Sequence, residues 1–454
     1  MFIRRSSPTP DLRGMSSIVR RFLAVAVLLF AADGCRKPPP PPPPPTPTPS
    51  PTPVPTPTPV PWLPKKPLPT AKLFNGLSLF AKVVGKKSSE PASVERKDAD
   101  SYQVEVTVKA RLPRAGVTVE DFKKNDPLLP GTFTDFSGLL AGAEVSPFFE
   151  HLYKLKMAQV EREVGRLDVI LSRHNFFDCE TILSLGNPST GRRALLAVGD
   201  MDVNSDGSDG DRNVTVDGSS PYFLPQTSYR WPKATERENR FLAVEESRLA
   251  SLKQELAAGG ATAARKAEIE EGIDLAKRRI YDLKKWSFLV SEVDPFIVLP
   301  GFMMRDKDDP WSPSVGDFAL VLFNGKAYPA VVGDAGPSLQ IGEASLLLCR
   351  ELNAKTSAIS RPVSDLKVTY LVFPGTADKT NAPPDLEAWR VRCEKYASEL
   401  GGLAIPVHSW PNLVKPWPTP TPEPTPSPSP QGSDVPLPAP PPASPFVVTP
   451  PETN

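Results

Sequence analysis

Histidine and cysteine are scarce in this chain, and their scarcity argues against several kinds of catalytic site. Only three histidines and four cysteines occur among 454 residues. The histidines are scattered and support no Ser-His-Asp order, and the cysteines do not have the spacing of metal ligands. His151 and His174, at the ends of a predicted helix, are interpreted as structural. The sequence also has no phosphate-binding loop and no nucleic-acid-binding signature.

A long membrane-spanning run is also missing near the N-terminus. Arg20 and Arg21 precede an apolar run from Phe22 to Ala32, which is too short for a permanent transmembrane helix. We interpret residues 1–35 as a signal peptide initiated at Met15. The run ends in Ala-Ala-Asp-Gly-Cys35, which resembles a bacterial lipobox and predicts lipidation of Cys35. By resemblance to lipoprotein sorting rules, Arg36 favours the outer membrane; an ordinary secretion signal is the alternative.

Little net charge remains after the basic and acidic residues cancel. Lys and Arg number 53 and Asp and Glu 52, a formal charge of +1 that indicates no polyanionic partner such as nucleic acid. Apart from Cys35, the cysteines are Cys179, Cys349 and Cys393. Because this number is odd, at most one intramolecular disulfide can form among the three, and the sequence leaves the pair open.

Proline, in contrast, is abundant and divides the chain. Of 58 prolines, many lie in residues 36–70 and 413–454. The first segment predicts a semi-rigid polyproline II stalk, at about 3.1 Å per residue, and a ligand for a proline-binding module is the alternative. The second predicts a disordered tail. Between them lie residues 71–131, an extension without assigned function whose alternation from Tyr102 to Val108 predicts a strand, and a main domain over residues 132–412.

Two carboxylates in the main domain lie close to a predicted β-hairpin. The runs 317–323 and 326–332 are apolar and flank Asn324-Gly325, which is typical of a type I′ turn. Asp334 then follows a strand end. Gly336, Pro337 and Gly342 predict turns, and Glu343 is expected in the first turn of a short helix. This pattern holds two acids on either side of a bend.

Helical periodicity predicts the surroundings of this domain. An amphipathic helix is expected over Phe148–Leu171, and another after Asp385 as its N-cap. Residues 235–289 predict an inserted antiparallel helical hairpin that turns at Gly259-Gly260. Its charged outer faces indicate a solvated arm, and a surface for an unidentified protein is the alternative. Strands are expected over Phe288–Leu299 and Val368–Phe373, so the fold class is α+β.

Six aspartates crowd the stretch from Asp200 to Asp217. Asp202, Asn204 and Asp206 match the first half of an EF-hand loop, although position twelve would be Asn213 rather than glutamate. Three interpretations stay open: a hydrated turn, a calcium-stabilised loop, and an acidic wall for a cationic sugar polymer. Further on, Trp231 is a candidate for stacking on a sugar ring, with core packing as the alternative.

Several ordered motifs resemble glycoside hydrolase family 75, the fungal-type chitosanases. The motifs are Pro295–Pro300, Gly316–Gly325, Gly333–Ser345 and Tyr370–Gly375, and upstream Ser172–Thr181 and Gly199–Gly207 fit a bacterial branch of that family. The resemblance implies a six-stranded double-psi barrel and inverting cleavage of chitosan, a β-1,4-linked glucosamine polymer. It also implies Asp334 and Glu343 as the catalytic pair. With the acidic wall, Asp200, Asp202 and Trp231 become substrate-binding candidates, and no cofactor is required.

An inverting glycosidase needs an acid and a base about 6.5–9.5 Å apart. Glutamate has the higher ordinary pKa and makes the better acid, whereas a helix N-terminus would stabilise its ionised form. We assign Glu343 as the acid and Asp334 as the base, with exchanged roles as the alternative. Both residues would also fit simple turn and helix capping. The competing function is a non-catalytic envelope lipoprotein that binds amino-sugar polymers or peptidoglycan.

Overall fold

The computed structural model describes residues 114–163, 165–166, 178–337 and 339–418, together with three strands upstream. The predictions for the signal peptide, Cys35, His174, most of the stalk and the tail beyond residue 418 lie outside the described residues. No helix within the described part of the chain is long and apolar enough to cross a membrane.

The three upstream strands form an antiparallel sheet in the order β1-β2-β3. They are β1 (Val60–Pro61), β2 (Leu77–Gly85) and β3 (Tyr102–Ala110). The strand predicted from Tyr102 is therefore confirmed, and β1 falls within the predicted stalk.

The main domain is a mixed α+β structure that begins with short helices and continues with long strands. Its first half contains α1 (Val119–Asn125), a 3-10 helix (Leu129–Thr132), α2 (Phe136–Ala141), β4 (Glu144–Val145), α3 (Pro147–Glu163), β5 (Cys179–Asn187), β6 (Arg192–Asn204) and β7 (Arg230–Pro232). The inserted hairpin follows as α4 (Leu242–Ala258) and α5 (Ala263–Lys285).

The second half completes the strands that carry the site. It contains β8 (Trp286–Phe288), β9 (Phe296–Pro300), a 3-10 helix (Gly301–Met304), β10 (Phe318–Phe323), β11 (Lys326–Gly336), β12 (Glu343–Ser345), α6 (Leu346–Leu352), β13 (Val363–Val372) and α7 (Leu386–Leu400).

Six of these strands close into a barrel. Their order is β12-β9-β11-β10-β13-β6, and β12 pairs again with β6 to complete the ring. The pairs β9–β11 and β6–β12 are parallel, and the other four are antiparallel. A barrel core with peripheral helices confirms the predicted fold class, and the double-psi assignment stays a prediction.

Successive side chains along a strand point to opposite faces of the sheet, so the buried side chains form two apolar clusters. All six barrel strands contribute to one of them, for example through Ile297, Val332 and Ala344. The second contains Phe296, Val298 and Phe318 and is covered by α7. Cys179, Cys349 and Cys393 are free thiols, and their side chains are fully buried. They therefore pack as apolar core residues.

Local signals placed several elements correctly. Asn324 and Gly325 have φ of 54° and 72°, as a type I′ turn requires, and they join β10 to β11 in the expected register. The Asp385 side chain accepts from the Ala388 amide at 3.0 Å and begins α7. The inserted hairpin is also confirmed, with Gly259 and Gly260 in left-handed conformations at its turn.

Three predicted elements need correction. The single strand Phe288–Leu299 is interrupted by a turn in which the Asp294 carboxylate accepts from the Val290 amide at 2.6 Å. The helix predicted over Phe148–Leu171 begins at Pro147 and is described to Glu163. Glu343 is not helical: it lies in β12, because Ser345 caps the helix that starts at Leu346.

Candidate active site

The barrel register brings Asp334 and Glu343 to the same level of the sheet. Asp334 pairs with Val298 from β11, and Glu343 pairs with Val298 from β12, on the opposite side of β9. In-register neighbours share a face, and adjacent strands lie about 4.8 Å apart. The two Cα atoms are therefore roughly 10 Å apart across β9. The pairing of β11 with β9 shifts register between Val332 and Asp334 and then continues to Gly336. Asp334 therefore lies inside the strand rather than beyond its end.

Glu343 is a partly buried acid with one neutral hydrogen-bond donor. The Asn204 amide nitrogen donates to its Oε1 at 2.9 Å. A Cβ on Gly336 would lie 2.8 Å from Val298 Cγ1 and 3.5 Å from Glu343 Oε2, so glycine keeps this space open. Burial raises the pKa of Glu343 to about 7; the Asn204 hydrogen bond opposes that shift, and the nearby carboxylates add to it.

Asp334 has a different environment. Its Oδ1 accepts from the Ser228 amide at 3.1 Å, the Ala335 amide at 2.8 Å and the Ser228 hydroxyl. Burial raises the pKa of Asp334, and these donors counteract the rise because they stabilise the ionised form. Burial thus raises the pKa of both carboxyl groups, and Asp334 accepts from more hydrogen-bond donors that oppose the rise.

Asp206 is a third carboxylate at this site. The Asn204 amide nitrogen that binds Glu343 also lies 3.3 Å from Asp206 Oδ2, and the Leu224 amide donates to Asp206 Oδ1 at 2.7 Å. Burial raises the pKa of Asp206 to about 7, and the charge of Asp334 contributes to the rise. Asp206, Asp334 and Glu343 therefore form one electrostatically coupled group. Such a group can donate a proton to a leaving oxygen and activate a water molecule.

Comparison with known protein families agrees with this geometry. Residues 201–401 match the family described as fungal chitosanase of glycosyl hydrolase group 75. These residues are thus similar to that family. A search of curated proteins finds no match for this chain. The matched region spans the barrel from the end of β6 to α7 and includes all three carboxylates.

Two predicted substrate-binding residues, Asp202 and Asp200, have different environments. Asp202 pairs with Glu343 across β6 and β12 and is partly exposed, and Arg361 bonds its carboxylate. Asp200 is 0 % exposed, with Arg361 Nε 3.9 Å from its Oδ2. The Asp200 side chain thus points into the protein, and its role as a substrate contact stays a prediction.

Trp231, the candidate for stacking on a sugar ring, also lies in the interior, as the core-packing alternative expects. Its side chain is only 3 % exposed and packs in the cluster beneath α7, with the Arg212 guanidinium 5.1 Å from its ring centroid. Arg212 in turn binds Asp209 and Asp294. Trp231 thus packs against a buried ion network. Tyr222, 86 % exposed in the preceding loop, is the aromatic residue of this segment that faces solvent.

The EF-hand pattern folds into a hydrogen-bonded segment. The side-chain Oδ1 of Asn204 accepts from the Asp206 amide at 3.0 Å, while its side-chain Nδ2 donates to Asp206 and Glu343. Within the described ranges, no group of three or more His, Cys, Asp or Glu side chains is arranged to hold a metal ion. Calcium binding by Asp202, Asn204 and Asp206 stays a prediction.

Sequence reasoning missed the contributions of Ser228 and Asn204, and it gave Asp206 only a metal-binding role. Ser228 lies 106 positions before Asp334, and no local pattern indicates that pairing. Asp202, Asn204 and Asp206 do alternate along the chain, which is the signal that they share a face near the end of a strand.

Proposed function

We propose that this domain hydrolyses β-1,4-linked glucosamine polymers such as chitosan, with inversion at the anomeric carbon. The observation that carries the proposal is the placement of Asp334 and Glu343 on one face, two strands apart, in unlike hydrogen-bonding environments. The family match supports glycoside hydrolysis in general. The inverting mechanism and the linkage are our own assignment.

Glu343 is assigned as the general acid. A pKa of about 7 keeps much of its carboxyl group protonated near neutral pH, where it can protonate the leaving oxygen. The helix-dipole argument for exchanged roles no longer applies, because Glu343 lies in a strand and burial dominates its pKa.

Asp334 is assigned as the general base. Donors from Ser228 and Ala335 stabilise its ionised form and orient the carboxylate. With Cα atoms roughly 10 Å apart, the side chains can span the 6.5–9.5 Å that an inverting pair leaves for the sugar and a water molecule. This spacing is compatible with an inverting pair.

The charge of the site suits a cationic polymer. Asp206, Asp334 and Glu343 are grouped at one end of the barrel, and Asp202 extends the row. Protonated glucosamine units would be attracted to the ionised members of this group, whereas acetylated units would not gain that attraction. Cleavage within the chain, rather than from its ends, completes the proposed activity.

Asp334→Asn and Glu343→Gln test the proposal directly. Each change is nearly isosteric and removes one acid or base, so we expect release of reducing ends from chitosan to fall about 10²- to 10⁴-fold. Asp217→Asn, a substitution on an exposed aspartate of the same acidic stretch, serves as the control and should stay active.

Nuclear magnetic resonance determines the anomeric configuration of the first products, and we expect α-anomers. β-Anomers would reject inversion. Folded variants that cleave at the wild-type rate would remove both residues from catalysis. A wild-type domain that binds chitosan or peptidoglycan without cleavage would instead support the non-catalytic alternative.

A further inference from the structure

The inserted helical hairpin contacts the segment that holds Asp334. Asp282, in the last turn of α5, accepts from Gln226 Nε2 at 3.2 Å through Oδ2 and from Arg230 Nη1 at 3.0 Å through Oδ1. Gln226 and Arg230 stand two positions before and two positions after Ser228. The Asp282 carboxylate therefore bonds one residue on each side of Ser228.

The same segment is fixed to β11 on its other side. Ser228 donates to Asp334 through both its amide and its hydroxyl, and the Tyr229 amide donates to the Gly333 carbonyl at 2.8 Å. Residues 226–230 thus lie between the catalytic strand and α5. A shift on the α5 side moves Ser228 relative to Asp334.

The hairpin end that supplies Asp282 is itself well supported. One turn earlier, Arg279 pairs with Glu245 of α4 at 3.0 Å, with both side chains largely buried. After α5 the chain enters β8 directly, and β8 pairs with β7, where Arg230 lies opposite Phe288. The position of Asp282 is therefore determined by packing on two sides.

We propose that Asp282 is a positioning residue that orients the Asp334 base through Ser228, and this inference rests on the proposed function. Its ion pair with Arg230 is partly exposed, with side chains 25 % and 43 % accessible, so it contributes little to stability. Removing it should disturb the geometry of the segment without unfolding the domain. The insertion thereby belongs to the catalytic apparatus.

A double-mutant cycle on the full chain tests the route through Ser228. Asp282→Ala should lower kcat on chitosan about 10-fold with little change in KM, since misplacing a catalytic group mainly costs turnover. Ser228→Ala should lower kcat at least as much, and the double variant should be no worse than Ser228→Ala alone. Asp274→Ala is the matched control, because Asp274 lies in the same helix and pairs only with exposed Lys277 among the described contacts.

Additive losses in the cycle, or wild-type kcat in Asp282→Ala, would overturn the proposal. Hydrogen exchange of residues 226–230 gives a readout that does not need activity. We expect several-fold faster exchange there in Asp282→Ala and wild-type exchange in Asp274→Ala. Unchanged exchange in Asp282→Ala overturns the positioning role even if the wild type proves inactive, and inactivity of the wild type refutes only the proposed function.

Discussion

The amide of Asn204 lies between two acids, and this contact makes the pH dependence testable at a single residue. Asp206→Asn removes a negative charge near Glu343 while keeping the side-chain shape. Ionisation of Glu343 then becomes less unfavourable, so its pKa should fall from about 7. Because the general acid must be protonated, the alkaline limb of the kcat/KM profile should move to lower pH.

The profile is measured from pH 4 to 9 on soluble chitosan, with Asp217→Asn as the control. Asp202 and Asp334 also raise the pKa of Glu343, and Arg361 offsets the charge of Asp202. These three residues are unchanged in Asp206→Asn, so the shift of the alkaline limb measures the effect of Asp206 alone. An alkaline limb that does not move would mean that Glu343 is not the acid, or that Asp206 does not influence it.

Residue identities alone predicted the chemistry only in part. Asp334 and Glu343 stood out because glycine and proline surround them and the flanking motifs resemble a family. Ser228 and Asp206 did not, since their partners are distant along the chain. The two alternatives for Trp231, sugar stacking and core packing, have the same local pattern, and only the fold, which buries its ring beside Arg212, separates them.

At the level of elements, the inserted hairpin separates into a functional end and a solvated end. The helices pack along a seam in which Leu252 lies against Gly272, while Arg279 and Asp282 lie near the barrel. Leu242, Leu283 and Phe288 form their own small cluster at the base of the hairpin.

Removal of residues 250–274, with a short Gly-Ser linker in their place, should therefore keep both the fold and the activity. The base cluster, the Arg279–Glu245 pair and Asp282 all remain. We expect a melting temperature within about 5 °C of the wild type and unchanged kcat, measured by circular dichroism and reducing-end release. A folded but inactive variant would mean that the outer half contacts the substrate or a partner.

Local sequence signals predicted elements better than they predicted boundaries between elements. The Asn324-Gly325 turn and the Asp385 cap need only adjacent residues, so they were read correctly. Glu343 was placed in a helix because the apolar run after it continues without interruption. The structure instead uses Glu343–Ser345 to complete the barrel, and that pairing with β6 and β9 depends on contacts more than forty residues away.

For the whole molecule, the order of strands was not predictable from periodicity. Hydrophobic alternation indicates that a strand exists, but neither its neighbours nor its direction. The expectation of a barrel came from the resemblance to a family, and the structure confirms a closed six-stranded barrel with helices outside it.

The location of the molecule follows from residues ahead of the described domain. We propose that Cys35 is acylated and that the proline-rich residues 36–70 hold the main domain away from a bacterial outer membrane. Metabolic labelling with palmitate should mark the wild type and fail to mark Cys35→Ser. An unlabelled wild type recovered from the medium would favour the ordinary secretion signal.

The barrel closes through β12, which is three residues long and carries Glu343. A few backbone hydrogen bonds to β6 and β9 therefore hold both the ring and the acid in place. If the pairing of β12 with β6 and β9 opened locally, Glu343 would move away from Asp334 while the rest of the barrel stayed folded. The position of the acid thus depends on the same backbone pairings that close the ring.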